Sequence, residues 1–381
     1  MRLQAALGLS LMFTQGNCEP ARVALSRSLA IAEERDDPSH QLRMLALLHT
    51  FHHRIGEFRR AMHLARRGAA IPLAAGDTAG IAVARSPLGS SLHHAGDLAG
   101  ARAELEAVLR HAPGAQRTGT IYLGFDHHIY AGVALARTLW LQGHPAQAVR
   151  RARQAVQDAA RMEHPATLSI ALAWALTVFL WAGDLDAADE HSDWFVSHAE
   201  AHSLAPYLAL GRGFKGELAI RRGDARGGVE ALQGCLRELA AWRYGQLTAS
   251  FNASLAQGLA ALGRFAEGVA LIDETIGLVR SDGPLSHMPE LLRVKGNVLL
   301  SMPRPMPADA EAHFVRSLEW SRRHASRAWE LRTAVDLAAL WAAQGRAHDA
   351  RALLRPVFEA FAEGLDTADL KAAGRLLTTL A

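Results

Sequence analysis

A chain of 381 residues, half of them hydrophobic and 21% charged, can bury a sizeable core and lies far from the composition of a disordered chain. Its 41 basic residues against 38 acidic ones leave a formal charge of +3, no electrostatic case for binding nucleic acid directly. Only three of the basic residues are lysines, Lys215, Lys295 and Lys371, and none follows a glycine, which excludes the Gly-Lys-Ser/Thr phosphate loop.

The first predicted element is a helix over MRLQAALGLSLMF, with Leu3, Leu7 and Leu11 on one stripe. Gln4 and the lack of a convincing cleavage site set it apart from a secretory leader. With no capping helix ahead of it, a self-sufficient array has to hide that stripe, and a homodimer through this helix would do so.

A turn then recurs: a Gly, a polar or charged residue, and a small residue five positions after the Gly. It reads GNCEPA at 16, GEFRRA at 56, GDLAGA at 96, GHPAQA at 143, GDLDAA at 183, GDARGG at 223, GRFAEG at 263 and GRAHDA at 345. The spacings are 40, 40, 47, 40, 40, 40 and 82 residues, so a further turn belongs near 303, where SMPRPMPADA carries three prolines and no glycine. Apolar residues at helical spacing flank each turn, for example Leu172, Leu176, Phe179 and Leu180 before Gly183, and Val269, Ile272 and Ile276 after Gly263. Gly lets the chain leave one helix in a left-handed conformation, and the Asp, Asn or Glu after it favours the start of the next. The small residue at +5 (Ala21, Ala61, Ala101, Ala148, Ala188, Gly228, Gly268, Ala350) and another at −7 (Gly89, Ala136, Gly216, Ala256, Ala338) allow close helix packing. Strand signals are nearly absent. The pattern predicts an all-α superhelix, a tetratricopeptide-like solenoid of about nine 40-residue helical hairpins. One such array is expected over residues 1–381, closed by a C-terminal capping helix over 367–381.

Within that register the uncharged stretch PATLSIALAWALTVFLWAG, 165–183, is the first helix of the fifth hairpin. Neighbours on both sides cover such a helix, so no membrane span is expected. Seven extra residues between Gly96 and Gly143 fall most naturally in HAPGAQRTGTIYLGF, 111–125, whose Pro, Gly and Thr content reads as a loop. It reads as a tolerated surface insertion ahead of a contact with a ligand or partner.

The stretches GFDHHIYAGVALARTLWLQGHPAQA (124–148), ALAWALTVFLWAGDL (171–185), PELLRVKGNVLL (289–300), SRAWELRTAVDLAALWAAQGRAHDARALL (326–354) and FAEGLDTADLKAAGRLL (361–377) carry a family likeness. They resemble the C-terminal tetratricopeptide-repeat region of large bacterial signal-transduction ATPases. In that family a winged-helix DNA-binding domain, or in relatives an adenylate/guanylate-cyclase domain, precedes a P-loop ATPase and the array. The resemblance covers essentially the whole chain but only the array part of the family. It implies the regulatory end of a bacterial transcriptional regulator: a signal-transduction sensor or scaffold. Residues for ATP, cyclase chemistry or base contact have no counterparts here. A split or truncated regulator, working only with its winged-helix/ATPase half, is the alternative.

Chemistry-bearing clusters are few. His191, His198 and His202 share one helix face, but HExxH is absent and no third ligand pattern accompanies an i, i+4 pair. The pairs His52/His53, His93/His94 and His127/His128 are adjacent on helices and point about 100° apart. No metal or other cofactor is expected. No GxSxG elbow is present, Asp36–Asp37 and Glu33–Glu34 read as solvated helix ends, and Cys235 reads as buried and inert. The chain is not expected to be an enzyme. Cys18 and Cys235 form no disulfide framework, which fits a reducing, cytoplasmic setting.

The concave face remains. In tetratricopeptide arrays it is lined chiefly by positions 13, 10, 6, 3 and 2 residues before the turn. Counting back yields Arg43, His53, Arg54, His93, His94, Tyr130, Arg137, Trp140, Trp181 and Arg221 as candidate ligand-binding residues, with Glu217 as the one carboxylate. Arginines converging in a groove favour carboxylates or phosphates, and the aromatics supply flat apolar area. The expected partners are a protein, an acidic peptide or a small anionic effector, with an ATPase or DNA-binding module in trans as a candidate partner.

Overall fold

The computed structural model describes residues 1–14, 16–74, 77–110 and 124–380. Nineteen α-helices run through them. In chain order they are α1 (Arg2–Thr14), α2 (Glu19–Glu34), α3 (Pro38–Arg54), α4 (Phe58–Ala69), α5 (Thr78–Ala95), α6 (Leu98–Leu109), α7 (His127–Leu141), α8 (Pro145–Ala160), α9 (Pro165–Ala182) and α10 (Leu185–Ala201). They continue as α11 (Ala205–Arg221), α12 (Ala225–Ala241), α13 (Thr248–Ala261), α14 (Phe265–Asp282), α15 (Met288–Leu300), α16 (Pro307–Arg323), α17 (Arg327–Ala343), α18 (Ala347–Glu359) and α19 (Ala368–Thr379). A single 3-10 turn, Leu285–His287, precedes α15, and no strand occurs among the described residues. The helices pair as nine consecutive hairpins, α1/α2 to α17/α18, with α19 packed on α17 and α18.

All eight turn glycines adopt left-handed backbone, with φ between 75° and 96°. Three of the aspartates that follow cap the next helix, Asp97, Asp184 and Asp224 each accepting from the backbone N–H three residues on. The eighth turn lacks a glycine and is a longer Pro-rich link, closed where Met306 N–H donates to Leu299 O at 3.2 Å. Helix α9 is the apolar centre of the array. It is long and apolar enough to cross a membrane, with mean hydropathy 1.7, yet 94% of it is buried among its neighbours. Residues 111–123 of the inserted segment lie outside the described residues. Of that segment's end, Gly124 has φ 94° and Phe125 is buried. On α1, Leu3 and Leu7 are exposed and Leu11 is half-buried.

The small positions at −7 and +5 meet each other. A Cβ on Gly228 would lie 2.6 Å from the backbone O of Gly216 and 2.5 Å from Ile220 Cγ1. Backbone cannot step aside, so Gly228→Ala destabilises by about 1–3 kcal/mol even though alanine is the better helix former. Gly277→Ala, on the exposed face of α14 with open space around it, has only the propensity term and stabilises by about 0.5–1 kcal/mol. Urea unfolding of the two variants checks the opposite signs.

The superhelix turns tightly enough for early hairpins to rest on late ones. Gly245 N–H donates to Arg54 O at 2.7 Å, Asn17 Nδ2 to Arg243 O at 3.1 Å, and Arg59 N–H to Asp282 Oδ1 at 2.7 Å. Farther along, His324 Nδ1 donates to Gly96 O at 3.2 Å, and Gln147 N–H to Glu363 Oε1 at 3.0 Å. The first half of the array thus faces the second across the axis, and the inner face becomes an interior.

Candidate functional site

Eight of the ten candidate residues lie in that interior: His53, Arg54, His93, His94, Tyr130, Arg137, Trp140 and Trp181, none more than 6% exposed. Arg43 and Arg221 are exposed outside it. Counting back from the turns placed a concave groove there. The chain closes it, because the seam contacts above bring the far side of the superhelix onto these side chains.

Three groups form the interior. The first is a histidine cluster from α3, α5 and α7. His53 and His94 have ring centroids 4.7 Å apart, His93 and His94 5.2 Å, and His49 stacks on His53 at 5.4 Å. Ser91 Oγ lies 2.9 Å from His49 Nε2, and Ser86 Oγ 2.8 Å from His127 Nδ1. Thr138 Oγ1 donates to Ala134 O, so His93 Nδ1, 3.0 Å away, donates to that hydroxyl and its Nε2 carries a lone pair. Burial pushes His53, His93 and His94 well below the usual imidazole range, with the Arg137 charge adding to the effect. Burial likewise lowers His49 and His287 to about 3 and His127 to about 4. All are neutral near pH 7.

The second group is aromatic. Trp140, Trp181 and Trp329 pack with centroids 4.7–5.3 Å apart, joining hairpins four and five to hairpin nine. Arg332 lies over Trp140 and Trp329 and is fully answered: its Nε donates to Asp369 at 2.8 Å and its Nη2 to Trp181 O at 2.6 Å.

Arg137 is the contrast. Its guanidinium sits 4.1 Å from the Trp174 ring and 5.7 Å from Trp181, at 2% exposure, and its Nε and Nη2 have no hydrogen-bond partner. Burial lowers its pKa to about 9, which still leaves it charged at neutral pH. Trp174 also borders a cavity with about 30 Å³ of free space, whose lining includes His53, Arg54, Tyr130, Tyr207 and Tyr244 and does not include Arg137. Arg54 Nη2 donates to Tyr207 Oη at 3.0 Å, and Gln246 Nε2 lies 2.7 Å from His53 Nδ1. Among the described residues no Asp or Glu lines this cavity.

The sequence reading missed Trp174, Tyr207, Tyr244 and Gln246. Trp174 stands nine residues before its turn, one position off the spacings counted, and a pattern search for aromatics within a turn of −10 would have found it. Tyr207 enters from the beginning of α11, and Tyr244 and Gln246 from the link between α12 and α13, where no periodicity marks an axial position. Phe125, at the end of the inserted segment, also lines the cavity.

A second cleft, of about 240 Å³, lies between hairpins six to nine and is lined by Glu217, Arg221, Glu290, Arg293, Arg332, Asp336 and Asp369 among others. Its charges answer one another. Arg221 pairs with Glu217 at 2.9 Å, and Arg293 with Glu290 and Asp336 at 2.7 and 2.6 Å. Arg293 and Arg332 hold the Glu290 carboxyl down at about 2 against the opposing effect of burial.

Two of the three histidines on the helix face of hairpin five bond to backbone carbonyls. His191 Nδ1 lies 2.8 Å from Ala187 O, and His198 Nε2 3.1 Å from Pro165 O. Among the described residues no three His, Cys, Asp or Glu side chains form a group able to hold a metal ion. Cys235 is buried and its thiol is pushed up to about 12 by burial, so it is protonated and unreactive.

Consecutive antiparallel helix pairs, turned about a common axis, define a tetratricopeptide-like α-solenoid. Solved structures with this architecture include the Rap conjugation gene regulator of plasmid pLS20 in complex with the Phr* peptide, at 10% identity over 90% of this chain and 98% of that one, TM-score 0.54. They also include a Rap protein complexed with competence and sporulation factor, at 11% identity over 100% and 96%, TM-score 0.52. The Cut9–Hcn1 hetero-tetramer of the APC/C matches at 14% identity over 86% of this chain and 58% of that one, TM-score 0.50. At these identities the likeness shows the fold alone. No protein-family model and no curated protein matches the chain.

Proposed function

We propose that the chain is a non-enzymatic regulatory or sensor scaffold that binds a protein, peptide or anionic effector through its axial interior. The observation that carries this reading is Arg137: a buried cation with unpartnered N–H groups, set among tryptophans, in a chain that pairs Arg332 completely nearby. An uncompensated buried charge costs several kcal/mol, and such a cost is tolerated where a ligand repays it. Two fold neighbours solved with a bound peptide or signalling factor support the ligand class. The interior is closed, so binding acts by biasing the seam between early and late hairpins, such as the Gly245–Arg54 contact, and hence the superhelix shape.

The family likeness of the repeat segments extends the proposal to the regulatory array of a bacterial transcriptional regulator, acting in the cytoplasm with an ATPase or DNA-binding module. Both cysteines are free, as a reducing compartment requires. Thermal-shift and native mass-spectrometry screening of the purified chain against acidic peptides and anionic metabolites tests the reading. A bound species that raises the melting temperature, with the effect lost in Arg137→Met, is the expected result. No response to any ligand, with one appearing only on addition of an ATPase-bearing partner, would move the weight to a fragment that acts with its other half.

A further inference from the structure

A further cleft, of about 280 Å³, opens where early hairpins meet late ones, and it shares no lining residue with the two cavities above. One wall is a single face of α4, since Phe58, Met62 and Arg66 stand four residues apart, with Arg59 at its edge. A second wall is the end of α14 and the turn after it, with Val279, Arg280, Asp282 and Leu285. Hairpins two and seven meet within this lining, where Arg59 N–H donates to Asp282 Oδ1 at 2.7 Å. We propose that the cleft binds a small amphiphilic carboxylate, an apolar body of on the order of ten non-hydrogen atoms whose head lies among Arg59, Arg66 and Arg280. The proposal goes beyond the reading above, because its site is a different one and does not involve Arg137.

Charge, apolarity and size select this ligand. Three arginines and one aspartate line the cleft, and that aspartate already accepts from the Arg59 backbone. Among the described residues none of the three guanidiniums is in an ion pair, whereas Arg67, next to Arg66, pairs with Glu33. Arg59 Nη2 reaches only the Arg280 carbonyl, at 3.5 Å. A lone exposed arginine holds a carboxylate weakly. Here three share a cleft that is otherwise largely apolar: Phe58 and Val279 are buried, and Met62 and Leu285 are half-buried. An alkyl or aryl body shields those side chains from water while its head meets the guanidiniums, so each part of the ligand strengthens the hold of the other. The free volume equals that of about nine water molecules in the liquid and is at the small end of ligand pockets, which leaves no room for a partner helix. Because hairpins two and seven each supply a wall, a ligand seated there bridges the seam and binds the closed superhelix better than an opened one.

The test uses the full chain at pH 7.5 with octanoate, whose size matches the cleft, held below its micelle-forming concentration. Octanol and octylammonium supply the same alkyl chain without the charge or with the opposite one. The expected result is a saturable rise in melting temperature of roughly 2 °C at tenfold saturation for octanoate, a weaker rise for octanol and none for octylammonium. Charge reversal at two exposed positions, Arg66→Glu with Arg280→Glu, is expected to weaken octanoate binding by about tenfold or more and to admit octylammonium. An octanoate response of equal size in the folded double variant overturns the proposal. So does an octanol response equal to that of octanoate, or no octanoate response in the wild type. A diazirine-bearing octanoate, cross-linked to the wild type and mapped by mass spectrometry, supplies a readout independent of the variants. Label on both α4 and the end of α14 is expected, and its absence from either refutes the bridging site. A response to acidic peptides lost with Arg137, with none to octanoate, overturns this proposal and leaves the axial reading standing. Octanoate binding with no peptide or protein partner does the reverse.

Discussion

Arg137→Met raises the melting temperature of the ligand-free chain and removes the ligand response proposed for the axial interior. The guanidinium is 2% exposed and its lowered pKa, about 9, measures how strongly the interior disfavours the charge. Both the folded value and the ordinary one lie above 7, so the penalty is fully present at neutral pH. Cation–π contact with Trp174 at 4.1 Å offsets part of it, about 2 kcal/mol. Methionine preserves most of the side-chain volume and its thioether packs well on an indole, so no cavity replaces the charge. The expected net stabilisation is about 1–3 kcal/mol, by analogy with buried charges exchanged for apolar groups of similar size. Arg332→Met is the control with the opposite sign, because it strands Asp369 and the Trp181 carbonyl. Chemical denaturation of the two variants decides the matter: if Arg137→Met destabilises as much as Arg332→Met, the guanidinium is a structural element and not a ligand-binding one.

The second large effect is acid lability beginning at mild pH. His49 and His287 are held at about 3 and His127 at about 4 in the folded chain, and His53, His93 and His94 are also driven well down. Burial is the leading cause throughout. Arg137 adds to it for His53, His93, His94 and His287, while Asp126 and Glu290 oppose it at His127 and His287. A histidine whose folded pKa is depressed binds fewer protons than in the unfolded chain, so stability is complete above the unfolded value of 6.5 and falls with pH below it. Each contributes about 1.4 kcal/mol per pH unit in that window. His49, His127 and His287 together therefore remove about 4 kcal/mol by pH 5.5, a large share of an ordinary domain's stability. Glu290 does not confound the window, because its depressed carboxyl loses its contribution only below the ordinary carboxylate range. Urea midpoints measured from pH 7.5 to 5.0 are expected to fall steeply below 6.5, and His49→Gln, which keeps a polar partner for Ser91, is expected to flatten the slope by one proton. A midpoint constant down to pH 5 refutes the assignment of these rings as buried and neutral.

The hairpin period, the turn positions and the helix pairing were legible because each rests on short-range rules. A glycine with positive φ, an aspartate accepting from N–H groups three residues on, and two small residues twelve apart are visible in one 40-residue window. Gly216 and Gly228 show this well, since the spacing alone predicts that their backbones touch. The buried, uncharged α9 was readable for the same reason. The composition of the candidate site was legible too, as a bias toward Arg, His and Trp at axial positions.

What the amino-acid sequence determined by itself is therefore the repeating unit: its length, its turn, its close-packed face and the residues it turns toward the axis. The tertiary structure alone decided that the axis is filled. Superhelix pitch is the sum of small rotations between successive hairpins, which no single window encodes, and it brings together residues 151 to 193 positions apart, as in Arg332–Trp181, Arg54–Tyr207 and His53–Gln246. That pitch gives Arg332 a carboxylate and leaves two nitrogens of Arg137 without an acceptor.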